Sequence, residues 1–267
     1  MIISEKNYDH VIYKFKDGIG RIILNRPEKL NALQYPIIMD IVDVLERNMK
    51  NKKIRVLSIE ANGKHFCSGD DLESMGPDGV RFKPLEDGSR MPHHKMIRLI
   101  RKIQKPVVAL LHGYCLGAGF ELALACDLRI ASDDLKIGDY RASRAICILS
   151  GSSWLLPRIV GFGRATDIIF TGRIIDAEEA LNIGLVTKVY PATEFKEKSM
   201  EYVRTLASMP TRCLGYNKTM LNYSQYHELF PSMLNEFSLY CKNIATKDFG
   251  IGMDSFRKKK EPKFTGR

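Results

Sequence analysis

The sequence has no cysteine pair at C-x-x-C spacing, no low-complexity tract and no repeat period. It also has no apolar run near the ~18 residues that a membrane span needs. Each absence excludes something. The six cysteines, Cys67, Cys115, Cys126, Cys147, Cys213 and Cys241, are scattered, which argues against a zinc or disulfide framework. Reduced thiols in a cytoplasmic compartment suit them better. Without a repeat there is no solenoid. The opening MIISEKNYDH lacks the apolar stretch of a signal peptide. A soluble, cytoplasmic protein with no metal site is the expectation.

What is present is ordinary for a globular chain, apart from its charge. The 267 residues are 45% hydrophobic, enough to bury roughly three quarters of the unfolded surface. Lys and Arg number 41 against 31 Asp and Glu, a formal net charge of +10 and a pI near 9.3. Such a balance suits a polyanionic partner. That partner can be nucleic acid, a membrane surface or a phosphorylated small molecule.

The first part reads as short strands between helices. His10–Phe15 and Gly20–Leu24 form a hairpin around Asp17-Gly18. Ile37, Ile38, Ile41, Val42 and Leu45 mark a helix from about Gln34 to Met49. Val56–Glu60, Val107–Leu111 and Leu128–Ala131 read as buried strands. The stretch from Leu72 to Pro92 is rich in Gly, Pro and charge, and predicts a long loop: a lid, a binding segment or an insertion without a role. From Gly161 the chain is mainly helical, with helices over Arg164–Phe170, Asp176–Leu181, Glu194–Ser208 and Thr211–Ile244. The last of these is broken near Phe230-Pro231. A core over 1–190 and a helical region over 191–267 are expected.

The segment from Lys105 to Asp127 is the most informative. It reads as a buried strand, a glycine-rich turn at Gly117 and Gly119, and a helix starting near Ala118. The first amides of a helix have no intrahelical acceptor, so they point at whatever lies in front and stabilise developing negative charge. Glu121, in the first turn of an apolar run, either caps its own helix or is a desolvated acid/base. His65-Phe-Cys-Ser-Gly69-Asp70-Asp71-Leu72 follows the Val56 strand. Alone, it reads as an ordinary turn.

These two segments come in order with Asn25-Arg-Pro-Glu-Lys29-Leu-Asn-Ala32-Leu33, Phe170-Thr-Gly-Arg173, Ala177-Glu-Glu-Ala180, Gly184-Leu-Val186 and Phe256–Phe264. Together they resemble the crotonase superfamily, the enoyl-CoA hydratase/isomerase family, from about Ile22 to Arg267. The resemblance implies an α/β fold, a spiral of ββα units with a C-terminal helical region that builds a trimer or hexamer. It implies that the amides of Asp70 and Ala118 grip a thioester oxygen. Lys29, Ala32, Leu33, Gly69, Asp71, Leu72 and Gly117 fall where the family contacts substrate and coenzyme A. The basic tail with Lys259 and Lys263 matches a segment that reaches CoA phosphates, often across a subunit boundary. As a sequence feature alone it is a solvated charge run. No separate cofactor is implied, since coenzyme A enters as part of the substrate.

One position departs from the pattern. Glu121 matches the first of the two glutamates that hydratases place around a water, but Arg141 stands at the second. A guanidinium has no acceptor and keeps its proton, so it is no general base. The aspartate of dienoyl-CoA isomerases would align with Leu149. Three readings follow. Glu121 acts as acid/base on an enoyl-CoA, alone or with Asp139. Alternatively, Arg141 recognises a carboxylate or another polar group on the acyl chain, and the reaction is a different one on a CoA thioester, such as hydrolysis or carbon–carbon cleavage. In the third reading the chain is an inactive binder of CoA esters or RNA, although no aromatic-interleaved basic patch supports RNA.

Overall fold

The computed structural model describes residues 4–75 and 91–267. Strands β1 (Ser4–Asn7), β2 (Val11–Lys16) and β3 (Ile19–Leu24) form an antiparallel meander. Asp17 and Gly18 both take positive φ, 50° and 80°, in the tight turn between β2 and β3, as the dipeptide predicts. Helix α1 (Tyr35–Met49) leads to β4 (Val56–Ala61). After α2 (Leu72–Met75) and α3 (Pro92–Lys102) come β5 (Val107–Leu111), β6 (Tyr114–Leu116), α4 (Ala118–Ala125), β7 (Leu128–Ser132) and β8 (Lys136–Gly138). The chain continues through α5 (Ser152–Val160), α6 (Phe162–Thr171), β9 (Ile174–Asp176), α7 (Ala177–Asn182) and β10 (Lys188–Tyr190). Four helices follow: α8 (Ala192–Ser208), α9 (Thr211–Ser224), α10 (Leu229–Ile244) and α11 (Lys247–Arg257).

The main sheet has the order β1-β2-β3-β4-β5-β7-β10, parallel from β3 onward. A smaller sheet, β6-β8-β9, stands beside it. Strand β5 is buried throughout, because helices cover both faces and alternate side chains meet different layers. Val108 and Leu110 pack with Val56, Ile130 and, from α8, Val203 and Ala207. Val107, Ala109 and Leu111 join Ile41, Leu45, Ile100 and Phe120 in the larger core. The division expected at residue 190 falls between β10 and α8, and α8 packs on the sheet as an added layer.

Two expectations need adjustment. The interruption expected near Phe230-Pro231 lies just before it, between Ser224 and Leu229. Pro231 sits in the first turn of α10, where the amide it lacks has no intrahelical acceptor anyway. The segment expected to be a long loop lies largely outside the described residues. Within them, Leu72–Met75 are helical and Pro92 opens α3. No helix among the described residues is long and apolar enough to cross a membrane.

Candidate active site

The two turns singled out in the sequence meet beyond the ends of β4 and β5. Cys67 and Cys115 form a parallel bridge, with Cys67 accepting from the Leu116 amide and donating to Tyr114, both at 2.9 Å. This brings Gly69 and Gly117 face to face. A methyl group added at Gly117 would lie 3.6 Å from the Gly69 Cα, and one at Gly69 would lie 3.7 Å from the Ala118 nitrogen. Gly117 adopts φ 50°, ψ −117°, a conformation that an L side chain rarely takes. Gly119 is required for a different reason, since a Cβ there would come within 2.6 Å of the Cys67 Cβ. Among the described residues, neither the Asp70 nor the Ala118 amide has an acceptor. Asp70 is flanked by amide and carbonyl bonds of its neighbours to Leu33, at 2.8 and 2.9 Å, which turn its own N–H the other way. Two adjacent unpaired donors, one of them at a helix start, make a cradle for an oxyanion.

Glu121 lies one turn into α4 and is 2% exposed. Its Oε1 accepts from Arg141 Nη2 at 2.6 Å, the Leu149 amide at 3.0 Å and Ser152 Oγ at 3.2 Å. Among the described residues Oε2 has no hydrogen bond. The capping reading therefore fails, because the carboxylate makes no hydrogen bond to its own helix start and is held instead by Arg141, Leu149 and Ser152. Ser150 and Gly151 both take positive φ, 52° and 93°, as the chain bends to present Leu149 and Ser152 to it. Burial raises the Glu121 carboxyl above its ordinary 4.5, and the charge and hydrogen bond of Arg141 offset part of that rise.

Arg141 sits in a short 3-10 turn capped by Asp139. Its Nε donates to Asp139 Oδ1 at 2.8 Å, and its Nη2 also reaches Asp139 Oδ2. Burial opposes the guanidinium charge, but hydrogen bonds to Asp139 and the attraction of Glu121 outweigh it and raise its pKa. Two carboxylates thus meet one cation, and Asp139, 1% exposed, is occupied in fixing Arg141. That arrangement leaves Arg141 little net charge for a third carboxylate.

The Asn25–Leu33 motif braces the cradle. Leu30 and Asn31 are both left-handed, at φ 52° and 53°. Asn31 Nδ2 donates to the carbonyls of Asn62 and His65 at 2.9 and 2.8 Å, and its Oδ1 accepts from the Arg26 amide. Arg26 in turn pairs with buried Asp71 at 2.5 Å. Burial opposes ionisation of Asp71, but hydrogen bonds from Arg26 and Gln34 outweigh it and hold the carboxyl below its ordinary 3.8. Ala32 and Leu33 are buried beside this turn, and Leu72 is exposed at the start of α2. Lys29 is exposed and paired with Glu73 at 2.9 Å, an exchangeable surface contact. Lys259 and Lys263 lie elsewhere, in the segment after α11. Beyond them Thr265 and Gly266 donate to Asp248, and Arg55, just before β4, donates to the Phe264 carbonyl. That anchor stands at the opposite end of β4 from Gly69. No described contact within the chain joins the two lysines to Lys29.

Sequence reasoning did not find the Leu149 amide, Ser152 or His93, whose Nε2 lies 3.0 Å from Asp70 Oδ1. Nothing local marks them, because each meets its partner at least 23 residues away.

Residues 14–267 match the enoyl-CoA hydratase/isomerase family. The chain belongs to that family. It is 31% identical over 260 residues to a probable enoyl-CoA hydratase of Mycobacterium leprae, covering 97% of this chain and 99% of that one. It is 29% identical over 261 residues to a crotonyl-CoA hydratase of Syntrophomonas wolfei, with the same coverage. An enoyl-CoA hydratase structure from Geobacillus kaustophilus covers 100% of both chains at a TM-score of 0.93 and 26% identity. The crotonase-type α/β fold is thereby established, and the chain is an acyl-CoA enzyme of the hydratase/isomerase type.

Proposed function

We propose that this enzyme moves a proton along an enoyl-CoA with Glu121 as its single acid/base, shifting the double bond between the 3- and 2-positions. The observation that carries this reading is the Glu121 carboxylate, held on Oε1 and without a hydrogen bond on Oε2, one turn from the Ala118 amide. The thioester oxygen would lie between the Asp70 and Ala118 amides. Glu121 Oε2 takes the proton from Cα, the charge passes to the thioester oxygen, and the two amides hold it there. The same carboxyl returns the proton at Cγ, so atoms and charge balance with no further reagent. Lys29, Ala32 and Leu33 would meet the CoA portion, with Gly69, Asp71, Leu72 and Gly117 shaping the cradle. Lys259 and Lys263 would reach CoA phosphates from another copy in a homotrimer or hexamer. Exposed Leu229, Phe230, Phe237 and Phe256 on the late helices support such an assembly.

A second reading, hydration with Glu121 alone, is favoured by the names of the relatives. Incubating 3-enoyl-, 2-enoyl- and saturated CoA thioesters, and following mass and double-bond position, separates the two. Bond migration without a gain of 18 mass units supports isomerisation, and that gain from 2-enoyl-CoA supports hydration. Glu121→Gln is expected to lower turnover at least ~100-fold in either case. Unchanged turnover would remove Glu121 from the mechanism.

A further inference from the structure

The other end of α4 borders a cavity of about 430 Å³, within the range of about 300–1,000 Å³ usual for small-molecule sites. None of its lining residues takes part in the chemistry above. Its apolar wall includes Leu124 of α4, Leu155 of α5, Leu206 of α8, and Leu214 and Leu221 of α9. Its charged lining is unbalanced: Arg101, Arg129, Arg158 and Lys218 face a single carboxylate, Asp127.

That carboxylate is already engaged. Asp127 Oδ2 accepts from Lys218 Nζ and from the Val107 amide, both at 2.8 Å. Lys218 is further held by the carbonyls of Ile100 and Lys105 at 2.7 and 3.2 Å. Arg129 is 7% exposed. Its Nε and Nη1 donate to the carbonyls of Leu185, Ala123 and Cys126, while Nη2 has no hydrogen bond among the described residues. Arg101 donates to Asn222 across the cavity wall, and Arg158 lies over the Trp154 ring at 4.1 Å. Of the four cations, Arg129 alone is buried without a hydrogen bond to a carboxylate: Lys218 is paired with Asp127, Arg101 is half-buried and Arg158 is exposed. A buried cation short of counter-charge is costly, and a bound anion relieves that cost. The leucines specify the rest of such a ligand.

We propose that this cavity is a second ligand site, for an organic carboxylate carrying an apolar chain. The carboxylate meets Arg101 and the free Nη2 of Arg129, and the chain lies along the leucines. The cavity shares α4 and α5 with the active centre. Leu124 is three residues from Glu121 on α4, and Ser152, which bonds Glu121, is two residues from Trp154 on α5.

Trp154 is the only tryptophan and lines the cavity, so its fluorescence reports occupancy directly. Full-length protein is titrated with sodium decanoate below its micelle-forming concentration, with decanol as the uncharged control. The expected result is a saturable change with decanoate and none with decanol at equal concentration. Affinity should weaken at least tenfold in Arg101→Gln. Exposed Leu221→Glu, which places a negative charge in the wall, gives an independent variant with the same expected loss. No saturable change, an equal response to decanol, or unaltered affinity in both variants overturns the proposal. A signal that follows protein concentration instead of decanoate also overturns it, and assigns the cavity to contact between copies.

Discussion

Among the described residues, α4 leaves the Ala118 amide at its N-terminus without an acceptor, whereas at its C-terminus Arg129 takes the carbonyls of Ala123 and Cys126. Charge follows the same division. The Glu121 end sets one guanidinium between two carboxylates, and the far end gathers four cations around one. A helix of eight residues thus offers unpaired donors on one side and satisfied acceptors on the other. The comparison teaches that the two ends differ in which groups are left unpaired, and that the surrounding contacts hold those groups in place.

The largest effect is expected at Arg141. Arg141→Met leaves Glu121 and Asp139 facing each other without a cation, at a cost of about 3–5 kcal/mol in unfolding free energy by denaturant titration. Losing that attraction also raises the Glu121 pKa further. Because the base proposed here must be ionised, the acid limb of the kcat/KM–pH profile should move to higher pH. At the other end, Arg129→Met frees three carbonyls and should cost about 1.5–3 kcal/mol. There the acid limb should stay in place, and a shift comparable to that of Arg141→Met would erase the distinction between the two ends. Gly119→Ala forces a methyl against Cys67 and should cost about 1–3 kcal/mol. Because it also parts the two turns, kcat should fall more than KM changes. The smallest effect concerns Asp71. Its lowered pKa contributes stability that is present above about 3.8 and lost as pH falls through the folded value. The stability difference between the natural protein and Asp71→Asn should therefore shrink as pH is taken below 3.8.

Much of this was legible in the sequence. Asp17-Gly18, the apolar spacing of α1 and the start of α4 at Ala118 are local signals, and the structure follows them. Of the two turns that meet, the one at Gly117 was legible locally, and the one at Gly69 only through the family resemblance. Their meeting depends on the parallel bridge of Cys67 and Cys115, residues 48 apart, which no local pattern encodes. Phe230-Pro231 marked the break a few residues late, because a proline in a first turn starts a helix as readily as a proline elsewhere ends one. The pairing of Arg141 was hidden for a similar reason. As a substitution it suggested a receptor for a carboxylate or another polar group on the acyl chain, and in the fold its guanidinium already bonds Asp139 and Glu121. The cationic cavity was least legible, since its charges come from α3, β7, α5 and α9.

The claim that Glu121 Oε2 is the proton-transfer atom beside an enolate cradle is tested most directly with a substrate that can only exchange. Butyryl-CoA incubated with the enzyme in deuterium oxide should gain deuterium at Cα, followed by mass spectrometry. Glu121→Gln should slow that gain at least ~100-fold while still binding the thioester. Equal exchange rates in the two proteins would contradict the account.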